Sequence, residues 1–215
     1  MYFVKTPPLI KTLFSDYNWN IPSEPDTIYL SFDDGPVPEV TPWVLDLLKT
    51  YGFKATFFCV GENVIRHKDI FNRIIDEGHV VGNHTFNHLN GWRTDTESYM
   101  DNVSKCNIFT ESTLFRPPYG KLTPRQAQLI KQNYTIVMWD VLSGDFDPAV
   151  SAERCVQNVL NNYEPGSVIV FHDSIKAWDK LRIVLPVVLE YFSKKGFRSE
   201  SLHALTSKNN MYLPV

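Results

Sequence analysis

His84 and His88, four residues apart in Gly82-Asn83-His84-Thr85-Phe86-Asn87-His88, and the pair Asp33-Asp34 in Ser31-Phe32-Asp33-Asp34-Gly35 are the residues best suited to chemistry. Imidazole nitrogens and a carboxylate oxygen are a donor set for a divalent metal. Catalytic zinc sites commonly use three protein ligands and keep a position open for water. Two aspartates in tandem leave one carboxylate over to act as a base. A metal so held lowers the pKa of water and polarises a carbonyl, the chemistry of amide or ester hydrolysis. The chain reads as a metal-dependent hydrolase.

Such residues need a frame, and the sequence alternates strands with helices. Thr27–Phe32 is a β-branched and aromatic run that breaks at Asp-Asp-Gly-Pro, as a strand does. Thr41-Pro42 resembles an N-cap with proline at the first helical position. Val44, Leu47, Leu48 and Tyr51 then make the apolar stripe of a helix ending near Gly52. Ala55–Val60 is continuously apolar, as in a strand buried on both faces. A helix through Ile70 and Ile74 stops at Gly78, and His79–Gly82 is a short strand leading into the histidine segment. A helix from about Glu97 to Phe109 precedes the strand Leu114–Arg116. Thr123-Pro124 caps the next helix, before a strand at Tyr134–Trp139. Ser151 opens a helix through Val156 and Leu160, followed by the strand Ser167–Phe171. The last helix holds Val184, Val187, Val188 and Tyr191 and ends at Gly196. Pro186 must kink it or lie in its first turn. Phe197–Leu205 is the candidate for a final strand.

About seven strands alternating with helices argue for a parallel sheet, closed as a barrel or open and doubly wound. The Gly-rich phosphate fingerprint is missing after the first strand, which favours a distorted or incomplete (β/α) barrel. Residues 1–25 are expected as an N-terminal arm packed on a catalytic domain of residues 26–215. At 215 residues, 43% hydrophobic and 21% charged, the chain has the composition of one ordinary globular domain. Its three cysteines, Cys59, Cys106 and Cys155, lack CxxC spacing and read as reduced packing residues. A net charge of −3 gives no reason to expect nucleic acid. No apolar run reaches membrane-spanning length, and the first residues lack the pattern of a signal peptide. The expectation is a cytoplasmic monomer, unless a leader has been removed.

The reactive residue types fall at strand ends. Asp33-Asp34 end the first strand and His84 follows the third. Arg116-Pro117-Pro118-Tyr119-Gly120 end the fourth, Asp140 and Asp145 follow the fifth, and His172-Asp173 end the sixth. Carboxyl ends of strands build the active site of parallel barrels. In this order SFDDG, HTFNH, RPPYG, WDVLSGDF and VIVFHD resemble the five motifs of the polysaccharide deacetylase family, the NodB-homology group or carbohydrate esterase family 4. The resemblance spans about Thr27 to Leu202.

That resemblance implies removal of N-acetyl or O-acetyl groups from a carbohydrate such as chitin oligomers, peptidoglycan or xylan. It implies that Asp34, His84 and His88 would bind one divalent ion, usually zinc, with cobalt, manganese or nickel as family alternatives. Asp33 would be the general base, positioned and charge-balanced by Arg116. The Tyr119 backbone N–H would help to hold the developing oxyanion. His172 would be the general acid, kept charged by Asp145. Val170, Phe146 and Trp139 would line the pocket for the acetyl methyl, beside Tyr119. Two departures stand out: Ser31 where threonine is commoner, and Phe146 where tryptophan is usual, which makes one pocket wall smaller.

Each motif alone has a plainer reading: Asp-Asp-Gly-Pro as a turn, His-x3-His as a surface coincidence, Arg-Pro-Pro-Tyr as a stiffened loop, His172-Asp173 as a helix cap. Their joint occurrence at strand ends favours catalysis. His67, His79 and His203 read as structural, Trp43 as helix packing, and Trp92 and Trp178 as loop residues that either stack on a sugar or cover a core edge. Two other functions compete: an amidohydrolase of the same barrel acting on cyclic imides or ureides, and a glycan-binding protein without turnover.

Overall fold

The computed structural model describes residues 2–22 and 24–206. In chain order the elements are α1 (Pro8–Leu13), β1 (Thr27–Asp33), α2 (Thr41–Tyr51), β2 (Ala55–Cys59), α3 (Gly61–Arg66), α4 (Lys68–Asp76), β3 (Val80–Asn83), α5 (Thr96–Thr110) and β4 (Leu114–Phe115). They continue with α6 (Pro124–Ile130), β5 (Thr135–Ile136), β6 (Val141–Leu142), α7 (Ala152–Leu160), β7 (Val168–His172), α8 (Trp178–Lys194), β8 (Arg198–Ser199) and α9 (His203–Thr206). Seven parallel strands run in the order β5-β4-β3-β2-β1-β7-β6, and β8 pairs with β1 off this path. The sheet curls into a partial barrel, the distorted (β/α) barrel expected of the alternation. No described helix is long and apolar enough to cross a membrane.

The central strands explain the architecture. β1, β2 and most of β7 are buried along their whole length. Period-two alternation sends Phe32, Phe57 and Phe171 to the helix side, where Phe32 stacks on both neighbours at 5.1 and 5.9 Å. They join Val44, Leu48, Leu181, Val184, Leu185 and Val188 from α2 and α8 in the largest core cluster. Burying each such side chain is worth about 1.5–3 kcal/mol of transfer free energy. The same alternation turns Ser31, Asp33 and Val170 inward. Register then sets Asp33 beside His172 across the β1/β7 pair. The strand pattern that builds the core thereby delivers two reactive residues to one place.

Several local expectations change. Thr41 does not cap α2; its hydroxyl donates to Asp173 and accepts from the Val37 N–H, and Val40 is the cap residue. The helix expected through Ile70 and Ile74 is α4, and an unexpected short helix, α3, precedes it across a break at His67, whose ψ of 51° leaves the helical region. Tyr134–Trp139 contributes only the two-residue β5, and the chain re-enters the sheet as β6. Phe197–Leu205 yields β8 and then the turn of α9. Pro186 lies well inside α8, not in its first turn.

β5 and β6 end the sheet path without pairing with each other, and the segment before β1 lies in that opening. Asn18 bridges Val137, Lys5 bridges Val141 and Asn20 bridges Ser167. Trp19 and Ile21 are buried. Asp140, which the strand-end pattern grouped with the reactive residues, is instead wholly buried with Lys5, Lys11 and Ser167 at the opposite end of the strands. It fastens the arm. The three cysteines are buried and unpaired.

Candidate active site

Asp33 ends β1, and Asp34 follows in the left-handed region with φ +86°. In a continuing strand the two carboxylates would face opposite sides of the sheet. The reversal at Asp34 brings both into one pocket. This turn is fixed from outside: the Asp34 carbonyl accepts from Asn63 Nδ2 at 2.8 Å, and Asp173 Oδ1 accepts the Gly35 N–H at 3.1 Å. A Cβ on Gly35 would lie 2.0 Å from Asp173 Oδ2. Gly35→Ala must therefore push the turn away and is expected to cost about 1–3 kcal/mol of stability, read as a lowered melting temperature.

The histidines sit on the loop after β3, not on a helix. Thr85 and His88 both take positive φ, and the Thr85 hydroxyl accepts the Leu89 N–H, so the loop doubles back. His84 Nδ1 is 2.8 Å from the Arg116 carbonyl, which leaves Nε2 facing Asp34. His88 Nε2 lies 3.1 Å and His84 Nε2 3.7 Å from Asp34 Oδ1. One donor atom from each of the three residues lies within 4.8 Å of the others.

This donor set fits a metal. Asp34 Oδ1 is buried yet forms no hydrogen bond, although two imidazole nitrogens are close. Donors aimed at a common centre, not at one another, produce that geometry. The Arg116 carbonyl fixes the His84 tautomer, as outer partners of metal-binding imidazoles do. Burial, against the pull of Asp33 and Asp34, lowers the pKa of His84 to about 4, so the ring is neutral at pH 7 and able to bind a cation. Burial opposes ionisation of Asp34, but the imidazoles of His88, His172 and His84 outweigh it and hold the carboxyl well below its ordinary value.

Arg116 is fully buried, and each of its three guanidinium nitrogens donates a hydrogen bond. Nη1 donates to Asp33 Oδ1 at 2.6 Å and to Ser31 Oγ at 2.9 Å. Nη2 donates to the Met138 carbonyl and Nε to that of Val137. The guanidinium carbon lies 4.0 Å from the centre of the Phe58 ring. A buried cation is tolerable only when paired in this way. Asp33 is consequently held in one orientation.

His172 ends β7, its backbone N–H donating to Asp145 Oδ2 and its Nδ1 lying 2.8 Å from Asp145 Oδ1. Burial alone would lower its pKa, but the carboxylate of Asp145 raises it to about 9. Tyr119 has φ +61° in the turn Pro118–Gly120, and its ring packs edge-on against His88 at 4.7 Å. A Cβ at Gly120 would be 2.6 Å from the Trp139 ring, so the turn can approach that wall only with glycine there.

The structure brings Asp33, Asp34, His84, His88, Tyr119, Trp139, Phe146, Val170 and His172 to the lining of one cavity of about 450 Å³. Arg116 and Asp145 stand directly behind Asp33 and His172. Tyr2, Pro117, Lys121, Leu142 and Lys176 also line it. Sequence reasoning missed these: Leu142 belongs to a strand too short to leave a pattern, and Tyr2 arrives from the far end of the chain. Trp178 packs edge-on against Trp43 and covers the core, whereas Trp92 is 66% exposed with its Nε1 donating to the Leu122 carbonyl.

Comparisons with known proteins identify what the chain is similar to. The family model described as polysaccharide deacetylase matches residues 20–137. A peptidoglycan-N-acetylglucosamine deacetylase of Bacillus cereus is 33% identical over 187 residues, covering 84% of this chain and 88% of its own length. Another from the same organism is 39% identical over 180 residues, and the chain spans 65% of its length. A chitooligosaccharide deacetylase of Azorhizobium caulinodans is 33% identical over 83% of this chain and 84% of its own. Among solved structures, the Bc1960 peptidoglycan N-acetylglucosamine deacetylase superposes with a TM-score of 0.84 at 33% identity, covering 94% of this chain and 98% of that one. With more than half of the chain matched by the family model and relatives a third identical along most of their length, the protein belongs to the polysaccharide deacetylase family.

Proposed function

We propose that the protein is a metal-dependent hydrolase that removes acetyl groups from an N-acetylated carbohydrate, an N-acetylglucosamine oligomer or polymer. The observation that carries this reading is the meeting in one cavity of a donor triad and two candidate proton-transfer groups, Asp33 with Arg116 behind it and His172 with Asp145 behind it. Relatives named for peptidoglycan N-acetylglucosamine and for chitooligosaccharide support an amide-linked acetyl group over an ester.

Asp34 Oδ1, His84 Nε2 and His88 Nε2 would hold the cation, and the donor set favours zinc. When bound, such an ion supplies Lewis acidity toward a carbonyl oxygen and lowers the pKa of water. The remaining work falls to the protein. Arg116 engages Asp33 Oδ1, and we assign the other oxygen to take a proton from the attacking water. The Tyr119 backbone N–H is assigned to the oxyanion, where one aimed donor is worth about 2.7–4 kcal/mol. His172, with Nδ1–H donated to Asp145, presents Nε2–H to the departing amine. Val170, Leu142 and Trp139 offer apolar surface for the acetyl methyl.

Acetate release from N-acetylated chitooligosaccharides, peptidoglycan and acetylated xylan, with zinc, cobalt or manganese present and after chelation, tests the reading. Turnover of the N-acetylated substrates that chelation abolishes and metal restores is expected. Turnover that survives chelation, or is confined to cyclic imides, contradicts it.

The acid assignment has its own signature. His172 can donate only while protonated, so turnover should hold up to about pH 9 and fall as pH rises through that value. In Asp145→Asn the largest charge opposing burial is gone, and only the more distant carboxylates of Asp34 and Asp33 still favour the imidazolium. The alkaline limb should move about 1–3 pH units to the acid side. An alkaline limb at the same pH in both proteins would remove Asp145 from the role.

A further inference from the structure

We propose that the N-terminal arm completes the pocket, with Tyr2 a specificity-determining residue that forms, together with Phe146, the apolar wall on the His172 side. The substrate in this proposal, an N-acetylated sugar, rests on the deacetylase reading above; the wall itself rests on the contacts that follow.

The arm has a fixed seat. It occupies the opening between β5 and β6, where the Thr6 N–H donates to the Asp140 carbonyl and the Leu142 N–H to that of Val4. The ammonium groups of Lys5 and Lys11 lie 2.6 and 2.5 Å from the two oxygens of buried Asp140. A buried carboxylate holds its partners firmly, because either one lost leaves charge uncompensated. Lys5 pairs antiparallel with Val141, so the chain before it runs alongside β6 toward the pocket end of the strands. Tyr2 thereby comes level with the loop that carries Asp145 and Phe146.

There it makes a tether and a ring contact. Its hydroxyl donates to Asp147 Oδ2 at 2.9 Å, and its ring centre is 5.2 Å from that of Phe146. Phe146 is in turn 4.9 Å from the His172 ring. Burial and the Asp147 carboxylate push the Tyr2 hydroxyl up to about 12, so it remains a neutral donor. With its oxygen turned to Asp147, Tyr2 presents its ring to the cavity it lines with Phe146, His172 and Lys176. Aromatic rings supply large apolar area at small entropic cost, and here that surface adjoins the group assigned to protonate the leaving amine. The ligand chemistry that fits is the C–H face of the sugar bearing the departing nitrogen.

The test is a KM against kcat separation on an N-acetylated chitooligosaccharide. Tyr2→Ala should raise KM by about fivefold or more, as loss of an aromatic contact does, with kcat held within about twofold. Tyr2→Phe keeps the ring and should recover most of that loss. Phe3→Ala, at an arm residue 55% exposed and outside the cavity lining, should behave as the parent. The dissociation constant of the acetylated oligosaccharide, measured by calorimetry on chelated protein, should rise in Tyr2→Ala alongside KM. Unchanged KM and binding in Tyr2→Ala overturn the proposal, as does a fall in kcat and melting temperature with KM unmoved. A parent that releases no acetate sinks the deacetylase reading instead, and the binding constants then decide the wall by themselves.

Discussion

Asp33→Asn should keep the parent's metal affinity and lose turnover by a factor of about 10²–10⁴, the contribution of a positioned general base. The substitution is close to isosteric, and an amide oxygen can still accept from Arg116 Nη1, which now lies 2.6 Å from Asp33 Oδ1. What the amide cannot do is take a proton. Because Asp34 supplies the carboxylate of the donor triad, metal content by elemental analysis should be unchanged. The fall should appear in kcat and in kcat/KM alike, as for an interaction made only in the transition state. Turnover equal to the parent would remove Asp33 from the mechanism. Loss of metal together with turnover would mean that the two aspartates have been assigned in the wrong order.

His84→Ala should fail at the earlier step. It removes one of three donors, and since altering even an outer partner of a metal ligand commonly costs 10–100-fold in affinity, the loss should be about 100-fold or more. The imidazole is 2% exposed and holds the Arg116 carbonyl, so the variant also leaves a cavity and an orphaned acceptor. Stability should fall as well, by about 1–3 kcal/mol for the unsatisfied group. Circular dichroism and a melting curve separate that from unfolding. In a folded variant, high added metal should restore part of the activity, which no amount of metal should do for Asp33→Asn. Undiminished metal content in folded His84→Ala would refute the ligand role.

The contrast between these variants depends on one bend in the backbone. Asp33 and Asp34 are neighbours with different surroundings, the one against Arg116 and the other against two imidazoles, because β1 stops between them and Asp34 turns to φ +86°. That division was not legible in the residue pattern. The sequence Asp-Asp-Gly-Pro announces a turn, but the side to which each carboxylate points depends on Asn63 and Asp173, which lie 29 and 138 positions from the residues they hold.

Elsewhere legibility followed element length and burial. β1, β2 and β7 are strands of five to seven residues buried almost throughout, and the core helices α2 and α8 carry clear apolar stripes, so their order and type could be read. β4, β5 and β6 have two residues each, a single period of alternation, and only β4 was placed closely. α3 escaped notice because its six residues run into α4 across His67. The site residues at strand ends were legible because a parallel barrel gathers those ends at one mouth. Asp140 shows the limit of that rule: it follows β5 closely, yet the chain has already turned back, and its carboxylate meets two lysines of the arm. Tyr2 shows another, since a residue from outside the repeating units carries no periodic signal.

The central claim is that Asp34, His84 and His88 hold one catalytic cation between Asp33 and His172. Anomalous diffraction at the zinc edge from crystals grown with stoichiometric zinc tests it most directly. A single strong peak coordinated by Asp34 Oδ1, His84 Nε2 and His88 Nε2 is expected. A zinc peak elsewhere in the molecule, with those three side chains left uncoordinated, would contradict it.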